Sequence, residues 1–73
     1  MVQRPLDILD STLNSPVLVK IRGGRELRGK LESYDVHMDL VLKEAEERVQ
    51  EGQPKKLGTV VVRGDNIVFI SPP

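Results

Sequence analysis

Two short polar stretches stand beside apolar runs in this chain. Asp35-Val36-His37-Met38-Asp39 precedes Leu40-Val41-Leu42, and Arg63-Gly64-Asp65-Asn66 follows Val60-Val61-Val62. An imidazole and a guanidinium can sandwich a flat nucleobase, and neighbouring carboxylates or amides can hydrogen-bond its edge, which is how single-stranded RNA is read. His37 and Arg63 are the candidate sandwich. Taken singly, each has a plainer reading: His37 as a solvated loop histidine, Arg63 as a strand-end surface charge, and Gly64-Asp65-Asn66 as a turn. Catalysis has little to work with. Asp35 and His37 lie close in sequence but have no nucleophile to activate. Phosphate-cradling glycine loops and metal-ligand spacings are absent, so no cofactor or metal is expected.

Composition limits how such loops can act. At 73 residues the chain is one domain, and a fold of that size buries only about 60% of its unfolded surface, which leaves a monomer marginal. It has no cysteine and a single histidine, so neither disulfides nor a structural zinc site, which takes about four ligands, can supplement the core. Oligomerisation is the remaining common remedy. Lys plus Arg and Asp plus Glu both number 11, for a formal net charge of zero, so any RNA site must be local rather than a basic coat. A ring would gather one arginine per subunit around a shared pore while the outside stays neutral. The N-terminus has no signal-like segment and no apolar run approaches the ~20 residues that span a bilayer, so the expected compartment is the cytoplasm.

The elements that position these loops follow from periodicity. Residues 5–13 read as a short helix: Leu6, Leu9 and Leu13 share a face, Pro5 suits a first turn, and Asp7 and Asp10 suit the positive N-terminal end. Asn14-Ser15-Pro16 stops it. The period then becomes two. Val17, Val19 and Ile21 form one face of a first strand, and Leu27, Gly29 and Leu31 continue it after Gly23-Gly24, which suits a two-residue hairpin turn. Gly29 marks an expected bend or bulge.

A third strand is expected from about Met38 towards Glu47, its charged end projecting into solvent, with a helix over 43–50 as the competitor on propensity. The polar turn at 51–56 carries no assignable chemistry. Strands at 57–63 and 67–70 complete the set, closed by Ser71-Pro72-Pro73. The last two read as a hairpin that is apolar on both faces, through Val60, Val61, Val62, Ile67, Val68, Phe69 and Ile70. Such a ribbon would aggregate unless it pairs with another copy, and closure into a ring removes every edge. The expected fold is therefore mainly β: a short helix, then a strongly bent five-stranded antiparallel sheet.

The helix, the five strands and the two loops together resemble the Sm and Sm-like (LSm) proteins, most closely the archaeal ones, over nearly the whole chain. Residues 17–48, with Gly24, Gly29 and the Asp-x-His-Met segment, resemble the first Sm motif of that family, and residues 57–70 resemble its other motif. The resemblance implies an SH3-like barrel whose fourth and fifth strands pair between neighbours, giving a homo-oligomeric ring, usually of seven subunits, that acts in RNA processing, turnover or chaperoning. It implies that His37 and Arg63 stack a base at the pore, that the residue at position 39 reads the edge of uracil, and that Asp65 and Asp35 anchor the loops or the nucleotide. Gly64 and Asn66 support the loop that carries Arg63.

The family usually has asparagine where this chain has Asp39. A carboxylate cannot donate to uracil O4, so the expectation is weakened oligo-U affinity or tolerance of guanine. A further RNA contact at Arg4 and Tyr34 is weighed against Tyr34 packing under the helix. The competing function class is an SH3-like structural or protein-interaction module that ignores RNA and offers an edge strand to a protein partner.

Overall fold

The computed structural model describes residues 4–73. Helix α1 spans Pro5–Thr12. The Arg4 amide donates to Asp7 Oδ2 at 3.2 Å, and the Asp7 amide returns a bond to the Arg4 carbonyl at 3.0 Å. Leu9 and Thr12 are buried, while Leu6 and Leu13 are half-buried against the core. The Thr12 hydroxyl is satisfied by donating to the Ile8 carbonyl at 2.6 Å. The helix ends one residue earlier than its apolar spacing suggests. Leu13 is already extended and Asn14 adopts φ 66°, a left-handed angle that asparagine tolerates.

Strands β1 (Pro16–Ile21), β2 (Arg25–Tyr34), β3 (Leu40–Glu47), β4 (Lys55–Val62) and β5 (Ile67–Ser71) form one antiparallel sheet in the order β4-β3-β2-β1-β5. The core consists of Leu9, Val17, Val19, Ile21, Leu27, Leu31, Leu40, Leu42, Ala45 and Val62, as the period-two pattern of the first strands requires. The β1–β2 connection is not the expected two-residue turn. Ile21 pairs with Arg25, so Arg22 joins Gly23 (φ 87°) and Gly24 (φ 77°) in a three-residue loop.

The sheet bends where its side chains run out. A Cβ on Gly29 would lie 3.1 Å from Ala45 Cα and 3.2 Å from Leu42 Cβ. The β2–β3 register shifts on either side of this point. Across the sheet, Ala45 pairs with Gly58 (φ 75°), and a bulge with Glu44 at φ 52° moves the buried positions of β3 from Leu42 to Ala45. Small residues on three neighbouring strands thus let the sheet fold over on itself.

Residues 43–47 belong to β3 and not to a helix, because both neighbours claim them. Arg28 and Lys56 pair with Glu46, and Leu27 and Lys55 pair with Glu47. Arg25 holds the Glu47 carboxylate with two bonds of 2.8 Å. The charged end of β3 is therefore flanked on both sides rather than projecting alone into solvent. Among the described residues no helix is long and apolar enough to cross a membrane.

The expected final hairpin is not one. After Val62, Arg63 stays extended, and a single 3-10 turn, Gly64–Asn66, carries β5 across to β1, where Val19 pairs with Ile70 and Lys20 with Phe69. The physical reason is the curl of the sheet, which brings its first strand beneath the end of β4. Strands β4 and β5 consequently become the two free edges. Both expose apolar side chains: Val61 is 69% accessible on β4, and Val68 and Phe69 are 60% and 46% accessible on β5.

Candidate nucleic-acid interface

The β2–β3 loop is built around Asp35. Its Oδ1 accepts the His37 amide at 2.9 Å and the Asp39 amide at 3.1 Å. The main chain closes the same loop through Asp35 N to Asp39 O (3.1 Å) and Met38 N to Asp35 O (3.0 Å). An aspartate two residues before a free amide favours this turn, and Met38 takes up the sharpest angle at φ 65°. His37 is left exposed on the outside of the turn.

Burial pushes the Asp35 carboxyl up, but the amides of Asp39 and His37, the contact with the Asp39 carboxyl and the nearby His37 charge outweigh it, so the group lies below its ordinary value of 3.8. A depressed folded value means that the charged turn contributes stability above the ordinary aspartate range, and that this is lost as pH falls through the folded value. Asp35→Asn keeps the acceptor oxygen and removes the charge. The variant should therefore melt below the parent at neutral pH, and the two melting curves should converge on acidification. A gap that stays constant with pH would overturn this account.

The Arg63–Asn66 loop is locked onto this turn. The Gly64 amide donates to Asp39 Oδ1 at 2.7 Å. A methyl on Gly64 would overlap the His37 carbonyl oxygen and sit 3.0 Å from the Met38 carbonyl carbon. Two loops 25 residues apart in sequence thus meet backbone to backbone, with the exposed side chains of His37 and Arg63 flanking the junction. The Asn66 carbonyl accepts the Arg22 amide at 2.9 Å and fastens the turn to the β1–β2 loop. Asp65 lies 3.5 Å from the Arg63 guanidinium, with both side chains well exposed, and such a pair contributes little to stability.

Tyr34 packs under the helix. Its hydroxyl lies 3.3 Å from both the Leu6 carbonyl and Asp10 Oδ1, and burial together with the Asp10 charge pushes its pKa up. Arg4 is exposed at the start of the helix, 3.7 Å from Asp7. Neither side chain joins the loop junction. The structure adds to the site what residue spacing could not reveal, namely the clamp from Asp39 to Gly64, since no local signal links residues that far apart.

A strongly bent, five-stranded antiparallel sheet with a helix at its start and two interlocked polar loops at one end defines a class of small SH3-like β domains. The chain belongs to the LSM domain family, whose pattern matches residues 7–72. It is 56% identical over 73 residues to an snRNP Sm-like protein of Archaeoglobus fulgidus, covering 99% of this chain and 94% of that one. Among solved structures it superposes on one subunit of the P. aerophilum SmAP1 heptamer with a TM-score of 0.91 at 42% identity, covering 100% of this chain and 97% of that one. The Pyrococcus abyssii Sm protein, solved in complex with a uridine heptamer, gives a TM-score of 0.88 at 44% identity, covering 97% and 100%.

Proposed function

We propose that this chain assembles into a closed homo-oligomeric ring, most simply of seven subunits, and holds short single-stranded RNA at its pore. His37 and Arg63 stack a base, Asp39 and Asp65 contact or position it, and Asp35, Gly64 and Asn66 keep the loops in register. The observation that carries the reading is the loop junction, where Gly64 is pinned to Asp39 and to the His37 backbone between two exposed side chains suited to stacking. Two further features support it. The open edges of β4 and β5 are apolar, and a groove of about 400 Å³ between α1 and β5 is lined by Ile8, Leu9, Ile67 and Phe69. The heptameric assembly and the uridine complex of related proteins point the same way.

The mechanism is binding without bond making. Each subunit offers one weak stacking site, and the ring fixes their spacing, so one strand engages several sites at a common effective concentration. That suits a cytoplasmic scaffold or chaperone in RNA processing or turnover. The test is fluorescence anisotropy with a labelled heptamer of mixed uridine and guanosine. His37→Ala and Arg63→Ala should each weaken binding at least about fivefold, from ~1–3 kcal/mol per stacked base, and Arg63→Ala should also flatten the salt dependence. Affinity unchanged by both substitutions would favour the protein-interaction module instead.

A further inference from the structure

Asp39 is held at both ends. Its amide donates to Asp35 Oδ1 at 3.1 Å, and its own Oδ1 accepts the Gly64 amide at 2.7 Å. These bonds orient the half-buried carboxylate at the junction of the two loops, where the Asp35 carboxyl is its neighbour. An asparagine in the same place would keep the Gly64 bond through its own Oδ1 and present an amino group where Oδ2 now stands. The chain therefore carries an acceptor where an amide would carry a donor, with the loop clamp intact.

We propose that Asp39 makes this site selective for guanine over uracil, an inference that rests on the RNA-pore reading above. Ionised carboxylates accept hydrogen bonds and donate none. The edge of uracil runs acceptor, donor, acceptor: its N3–H can reach one carboxylate oxygen, but O4 or O2 then faces the other across a repulsive oxygen–oxygen contact. Guanine places N1–H and an N2–H side by side. A carboxylate has about four lone-pair sites; Gly64 occupies one of them and the Asp35 carboxyl lies beside the group, and the remaining sites are enough for two parallel charge-assisted bonds to guanine. Adenine and cytosine each offer one amino donor beside a ring acceptor, which gives one bond and one repulsion.

The experiment compares a labelled uridine heptamer with a heptamer that alternates guanosine and uridine, on the assembled protein. The unmodified protein should bind the guanosine-containing strand about tenfold more tightly, the scale of one good bidentate base contact. Asp39→Asn should reverse the preference while the protein stays folded and still binds RNA, because an asparagine Oδ1 keeps the bond to the Gly64 amide. Arg63→Ala should weaken both strands alike. A preference of the unmodified protein for the uridine heptamer, or an Asp39→Asn ratio within about twofold of the parent's, overturns the guanine proposal while leaving RNA binding in place. Failure of the unmodified protein to bind either strand overturns both.

Discussion

A Val61→Lys, Val68→Lys double variant is expected to leave the ring and sediment as a monomer. Val61 stands on the free edge strand β4 and Val68 on the free edge strand β5, 69% and 60% exposed in the isolated chain. In a ring closed by strand addition every interface joins one edge of each kind, so the double variant strikes every interface twice. Burying a valine is worth ~1.5–3 kcal/mol, and a lysine in its place adds the cost of desolvating a charge.

Losing even about 3 kcal/mol per interface weakens association more than a hundredfold, since each 1.4 kcal/mol is about tenfold. Analytical ultracentrifugation at micromolar concentration reads this directly. Because avidity contributes roughly 10²–10⁴ to the binding of a shared strand, RNA affinity should fall by a similar factor although no pore residue has changed. A Val49→Lys variant serves as the comparison, being an exposed apolar position in the β3–β4 connection rather than on either edge, and it should keep the oligomer. A double variant that remains a ring would show that the apolar edges do not form the subunit contact.

Gly64→Ala should be the most damaging single methyl in the molecule. The added carbon would meet the carbonyl oxygen and carbon of His37 and the carbonyl carbon of Met38, all backbone atoms that no rotamer change can move aside. Overpacking of this kind costs roughly 3 kcal/mol, and parting the loops to relieve it breaks the Gly64 bond to the Asp39 carboxylate, a charge-assisted bond worth about 1.5–3 kcal/mol. For a domain of this size each kcal/mol moves the melting midpoint by about 4–8 °C. A drop on the order of 10 °C or more is expected in calorimetry, together with loss of RNA binding as His37 and Arg63 separate. A variant that melts and binds like the parent would mean that the loops do not abut.

The difference between the readable and the unreadable parts of this chain is one of range. Val17, Val19 and Ile21 against Leu27 and Leu31 announce a hairpin through alternation, and Gly29 announces the bend, because strand period and the absence of a Cβ are local properties. Helix α1 is legible for the same reason, to within one residue. The competition between helix and strand over 43–50 was beyond local propensity: it is decided by Arg25, Arg28, Lys55 and Lys56 arriving from neighbouring strands. Asp35 as a turn former was visible in its spacing to His37 and Asp39, and the pairing of Asp39 with Gly64 was not.

From its residues alone this chain determined a small β domain with a small core, and with a histidine loop and an arginine loop beside apolar strands. Local periodicity and composition are enough for that. Tertiary structure decided that β4 and β5 never meet within one copy, that they become opposite edges, and that Asp39 clamps Gly64 so that the two loops abut. Those outcomes depend on how far the sheet curls, which is set by bulges and small residues acting across three strands, and distance through space leaves no mark on sequence spacing.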